Sequence, residues 1–164
     1  MAHNRKTNII YIFIFGLVSL LLQAFFVPII EIGVWRPDIV LLAVLYIGYR
    51  YGVIAGILSG FVLGILQDSM SPLPLGMTSL VNSVIGFAAG QIRQFKLAYN
   101  ARILASVVLI LIQGCIFYFF YQFRGEVNYG YLLLTRVFPN TIYTFLIGLL
   151  ISFFNRRARG LCHR

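Results

Sequence analysis

Charged side chains in this chain are confined to short links, and the stretches between the links are long and uncharged. Such runs can fold in few ways. About 20 apolar residues in a helix cross the ~30 Å hydrocarbon layer of a bilayer, with every backbone group hydrogen-bonded internally. Charged residues make up 10% of the 164 and hydrophobic ones 60%. A soluble domain carries roughly 25% charged residues, and a domain this small has too much surface to hide so many apolar groups from water. The expected fold class is therefore an all-α membrane protein, a single integral domain with no water-soluble part.

The runs place six spans at about 9–30, 37–49, 51–67, 75–92, 103–123 and 137–154. Arg5 and Lys6 ahead of the first run resemble a signal-peptide start. The run is too long for a signal h-region and lacks a small-residue cleavage site, so it reads as a span. The second run is short, about 20 Å at 1.5 Å per residue. It could fuse with the third into one helix, and charge decides between the two. With six spans and both termini cytoplasmic, ten basic residues lie inside, among them Arg50, Arg93, Lys96, Arg102 and the arginine tail. Arg36, Arg124 and Arg136 lie outside, together with all four acids, Glu31, Asp38, Asp68 and Glu126. Fusing the runs weakens that bias and leaves Arg50 in hydrocarbon at about 2.5–3.5 kcal/mol. The net charge of +9 then reports orientation in the membrane rather than nucleic-acid binding.

Two small-residue stripes stand out. Gly52, Gly56, Gly60 and Gly64 recur every four residues in the third span, and Ser79, Ser83, Gly86 and Gly90 share one face of the fourth. Small residues let helix backbones approach closely in lipid, so these stripes are expected to pack the two spans against each other. A homodimer interface is the alternative. Asn82, Gln113 and Asn140 are the uncharged polar residues at depth, expected to make interhelical hydrogen bonds. The crowd of aromatics from Phe117 to Phe123 fits an interfacial belt.

No charged residue lies deep in a span, and no Ser-His-Asp, Cys-His, HExxH or carboxylate pair is present. Proton-coupled transport and acid–base catalysis both need such groups. His3 and His163 sit at the chain ends without a partner at ligand spacing, and Cys115 and Cys162 read as two unpaired thiols. Neither an enzyme nor a metal or cofactor site is expected. The densest polar signal is on the outer face. Pro37 and Asp38 suit the first turn of the second span. Asp68 ends the third span, where a carboxylate opposes the helix dipole and needs a positive partner. Arg36 is the expected one.

Arg36-Pro37-Asp38, followed by Val40-Leu41-Leu42 and Tyr46, then Gly60-Phe61, Gly64, Asp68, Ser71 and Leu75-Gly76, resembles the rod shape-determining protein MreD family. The specific part of the likeness runs from Arg36 to Gly76. The second half matches in hydropathy and in Asn140 near the start of the last span. Gln67 and the proline-rich Ser71-Pro72-Leu73-Pro74 depart from the family pattern. The resemblance implies a compact six-helix bundle in the bacterial inner membrane, similar to the substrate-binding subunits of energy-coupling-factor transporters. It implies a non-enzymatic subunit of the peptidoglycan-synthesising elongation machinery. That subunit would bind MreC directly, with MreB, penicillin-binding protein 2 and RodA in the wider complex, among membrane lipid and with no nucleic acid. A small-molecule-binding transporter subunit is the alternative.

A membrane-impermeant thiol reagent reads the topology. Cysteines placed at Arg50 and Arg157 should both stay unlabelled in intact cells, while one at Asp68 reacts. Arg50 and the C-terminal tail on opposite sides would refute six spans.

Overall fold

In the computed structural model, residues 2–30, 35–70, 75–95, 99–122 and 129–161 are described. Ser71 to Pro74, Glu31, Lys96, Arg124, Glu126, Cys162 and His163 lie outside them. The described residues form six helices and no strand. The first, α1, is continuous through Ala2–Leu21, a π-helical stretch Leu22–Phe26 and Val27–Ile30. Next come α2 (Ile39–Tyr51), α3 (Val53–Ser69), α4 (Met77–Gln94) and α5 (Tyr99–Gln122). The last, α6, runs through Tyr129–Leu132, a second π-helical stretch Leu133–Val137 and Phe138–Leu161. Ile9–Ile30, Ala101–Phe120 and Gly130–Leu150 are long and apolar enough to cross a membrane. The helices α2 and α3 are apolar but shorter.

The second and third runs form two helices, and the break is a single residue. Gly52 has φ +97° and ψ −171°, a combination open in practice to glycine alone. Gly48 and Gly56 would stand about 12 Å apart along one straight helix. Instead, a Cβ at Gly56 would lie 3.2 Å from the Gly48 Cα, so the chain doubles back at Gly52.

The short α2 is the centre of the molecule. Val40, Val44 and Ile47 are wholly buried, as is Leu41. Leu41 and Leu45 pack with Ile85 and Ala89 of α4 and with Leu109 and Ile110 of α5. On the other flank, Val40 and Val44 meet Leu20 of α1 and Leu63 of α3. Leu42 reaches Gly148 of α6. A helix apolar all round belongs inside a bundle, so α2 need not match the bilayer thickness by itself. In α1 the pattern is one-sided: Gly16, Ser19, Leu20 and Val27 are buried, while Phe13, Leu17, Phe25 and Ile29 are exposed. Such an outward flank is stable in lipid, not in water.

The small-residue stripes meet. Gly56 faces Gly86 so closely that a Cβ on either would collide with the other's backbone carbonyl. Gly60 lies against the Asn82 and Ser83 backbone, Gly64 against Ser79, and Gly90 against Val53. Residue numbers rise along α3 as they fall along α4, so the two are antiparallel. Ser83 itself turns its hydroxyl to the Ser79 carbonyl of its own helix.

Both π-helical stretches precede a proline. Val27 N–H bonds to Leu22 O and Phe138 N–H to Leu133 O, five residues back in each case. Pro28 and Pro139 follow directly. A proline removes the N–H that the carbonyl four residues earlier would receive, and a π turn absorbs the misfit. At Pro139 that carbonyl belongs to Thr135, and the Trp35 indole N–H donates to it instead at 3.0 Å.

Gly86→Val should separate α3 from α4. Its backbone clash has no flexible atom to give way, and overpacking alone costs about 1–3 kcal/mol or more. A large fall in thermal midpoint in detergent is expected, and an unchanged midpoint would refute the close approach.

Candidate functional site

The link between α1 and α2 carries the Arg36-Pro37-Asp38 motif, and side chains of two other helices hold its backbone. Arg36 N–H donates to Asn140 Oδ1 at 3.1 Å, and the Asn140 amide donates on to the Tyr118 hydroxyl at 3.3 Å. Asp38 N–H donates to Thr144 Oγ1 at 3.1 Å. From α1, Gln23 Oε1 accepts Ile39 N–H at 2.8 Å, and Gln23 Nε2 points to Pro37 O at 3.4 Å. The Tyr143 hydroxyl donates to Ile30 O at 2.6 Å. Residues 140, 143 and 144 share one face of α6, so that face holds both the end of α1 and the Arg36-Pro37-Asp38 segment.

Proline and aspartate sit one step earlier than the sequence suggests. The helix starts at Ile39, with Asp38 as its N-cap rather than in the first turn. Asp38 Oδ1 accepts Leu41 N–H at 2.9 Å, the bond that makes aspartate a favoured cap. Pro37, itself buried, fixes the approach to that cap. The Gln67 side chain also hydrogen-bonds the Asp38 carboxylate.

Asp68 is 1% exposed, and the positive environment that its place at a helix C-terminus demands is a second helix end. Its carboxylate accepts Gly76 N–H at 2.9 Å, Thr78 N–H at 3.1 Å and Ser79 N–H at 3.4 Å. Gly76 is the N-cap of α4, has φ +96° and offers no side chain to cap with. Asp68 caps α4 from across the turn, so the dipole repulsion at the end of α3 is offset by attraction at the start of α4. Leu75, beside Gly76 in the motif, is exposed.

The buried polar residues divide. Asn140 bridges α5, α6 and the motif as described. Asn82 is fully buried, yet neither amide atom has a hydrogen-bond partner among the described residues. Its expected interhelical bond is not made among them; what meets Gly60 of α3 is the Asn82 backbone. Gln113 makes no hydrogen bond among the described residues and lines a cleft.

That cleft, of about 400 Å³, lies between α1, α5 and α6 at the end of the bundle where α2 begins. Asp38, Gln67 and Thr78 bring in α2, α3 and α4. Phe117 and Tyr118 are part of its wall, a role beyond the interfacial belt. Gln23, Gln67 and Thr144 escaped sequence reasoning. Each is a single uncharged residue in an apolar run, and nothing in local spacing marks what it faces. Among the described residues no group of three or more histidine, cysteine or carboxylate side chains could hold a metal ion.

A family model described as rod shape-determining protein MreD matches residues 3–157 of the chain. No curated protein and no solved structure matches it. The chain belongs to the MreD family, and its family role is in rod-shape determination in the membrane.

Asp68→Ala strips the acceptor from the Gly76, Thr78 and Ser79 N–H groups, at about 1–3 kcal/mol. Asn140→Ala should cost about the same, whereas Asn82→Ala, which breaks no bond, should leave the thermal midpoint unchanged or raise it. Equal losses at Asn82 and Asn140 would contradict this assignment.

Proposed function

We propose that this member of the MreD family is a non-enzymatic scaffold of the cell-elongation machinery in the bacterial cytoplasmic membrane. It crosses the bilayer six times with both termini in the cytoplasm, and it holds the membrane helix of MreC. MreB, penicillin-binding protein 2 and RodA belong to the wider assembly. The carrying observation is how the carboxylates are used. Asp38 and Asp68, the two among the described residues, both cap helices. Both carboxylates are taken up in capping helix N-termini, so their place in the fold is architectural. The outward apolar flank of α1 supports the partner role, because another membrane helix can lie along it without either leaving lipid.

The cleft supports a second reading, a small-molecule-binding subunit of a transporter built on the same six-helix plan. The two readings separate by co-purification of the full chain from membranes. The scaffold predicts that MreC is recovered and that cells become round on depletion. Recovery of an ATPase in place of MreC, with Trp35 fluorescence responding to vitamins, would overturn it. Cysteines along α1, α3, α4 and α6 then map the contact face by crosslinking.

A further inference from the structure

The end of the bundle away from Asp38 carries cations that the fold does not answer. There α2 ends, α3 begins, α4 ends and α5 begins. Arg50, Arg93 and Arg102 are all exposed, and none makes a hydrogen bond or ion pair among the described residues. Arg93 stands in the last turn of α4, and its Nη1 lies 3.1 Å from where a Cβ on Gly52 would be. Gly52 is the N-cap of α3 and brings no side-chain cap, so that guanidinium rests against the positive end of a helix. Arg102 is in the first turn of α5, a second positive helix end, and lies close enough to act electrostatically on the Tyr49 hydroxyl. Tyr49 pairs with Ser106, one turn beyond Arg102, at 3.1 Å. The two guanidiniums thus border the last turn of α2, which carries Arg50 itself.

No carboxylate balances them among the described residues. Asp38 and Asp68 cap helices at the opposite end. In sequence, Glu31 and Glu126 fall in links that the six-span reading puts at that end too. Cations gathered against positive helix ends repel one another, and an anion placed among them reverses the sign. Arginine suits a phosphate in particular, because its planar fork donates to two oxygens at once. The neighbouring side chains narrow the choice further. Phe95, two residues after Arg93, is 73% exposed, Leu104, two after Arg102, is 66% exposed, and Ile54, two after Gly52, is 75% exposed. A soluble anion has no use for hydrocarbon there. A phospholipid matches both features, phosphate to guanidinium and acyl chain to apolar side chain.

We infer that Arg93 and Arg102, with Arg50 beside them, hold the phosphate of an anionic phospholipid at this end of the bundle. Phe95, Leu104 and Ile54 meet its acyl chains. The site lies in the leaflet that the charge pattern assigns to the cytoplasm. This rests on the membrane reading proposed above but not on the partner. Recovery of MreC and retention of lipid are separate measurements, so either can fail without the other.

The test uses the full chain, purified in mild detergent and exposed to equal amounts of phosphatidylglycerol and phosphatidylethanolamine with the same acyl chains. Native mass spectrometry counts the retained lipid, and phosphatidylglycerol should be kept in preference. A net charge of +9 favours that lipid anywhere on the chain, so two variants of equal charge are compared. Arg93→Gln with Arg102→Gln removes the site. Arg5→Gln with Lys6→Gln removes the same charge from α1, which packs on the other flank of α2. The first pair should lower the preference roughly twenty-five-fold, about fivefold for each arginine beside an anionic headgroup. The second pair should leave it in place. Neither Arg93 nor Arg102 is bonded within the described fold, so the thermal midpoint without lipid should stay unchanged and a lost preference is not a lost fold. Excess glycerol 3-phosphate should fail to displace the lipid. Equal losses in the two variants, no preference for phosphatidylglycerol, or displacement by glycerol 3-phosphate overturns the proposal.

Discussion

Backbone-to-backbone contact between α3 and α4 at Gly56 and Gly86 is the constraint on which the other helices depend. Two helices normally stand 8–10 Å apart, with side chains filling the gap. Glycine on both sides removes the filling, and the pair becomes a narrow slab. The slab and the one-residue reversal at Gly52 together leave a groove in which α2 lies, buried on most of its surface with Tyr46 and Arg50 exposed. Lipid gives no hydrophobic push between helices, so dispersion contact at this distance takes its place. The same closeness extends to Asn82. At Gly60 it is the Asn82 backbone that packs against α3, and the two Asn82 amide atoms have no partner among the described residues.

A second economy operates at the Asp38 end. Helix termini expose N–H and C=O groups that water would satisfy in a soluble protein. Here side chains from elsewhere in the fold take that place: Asp38 for its own helix, Asp68 for α4, Tyr143 for the last carbonyl of α1 and Trp35 for the carbonyl freed by Pro139. The last three of these bonds join separate segments, so satisfying the backbone also ties α1, α3, α4 and α6 together. The cleft is a consequence of the same arrangement. The side chains that hold the motif come from α1 and α6, and the space between those helices and α5 is not filled by protein.

Much of this was legible from residue order. Apolar runs and charge placement marked the helices, since hydropathy alone decides whether a segment prefers lipid. The four-residue glycine repeat pointed to α3 and α4 as neighbours, and the motif from Arg36 to Gly76 pointed to the family. Ends were less legible. The α1 and α6 helices extend beyond the apolar runs at their basic ends, because nothing in Arg5, Lys6 or the tail forbids helix once it leaves hydrocarbon. Pro28 and Pro139 lie within helices, with π turns absorbing the lost bond, and the apolar runs that contain them do not announce those turns.

The sequence by itself determined that the chain belongs in a membrane, which segments are helical, and that α3 and α4 touch, because these follow from local composition and from periodicity within one helix. The tertiary structure alone decided that Asp68 answers to the start of α4, that Asn140 and Thr144 hold the Arg36 motif, and that Thr78, Gln113 and Asp38 share a cleft. Apart from the Asp68 turn, those relations join residues tens of positions apart. They depend on how six helices are rotated about their axes, and no spacing along the chain encodes that rotation.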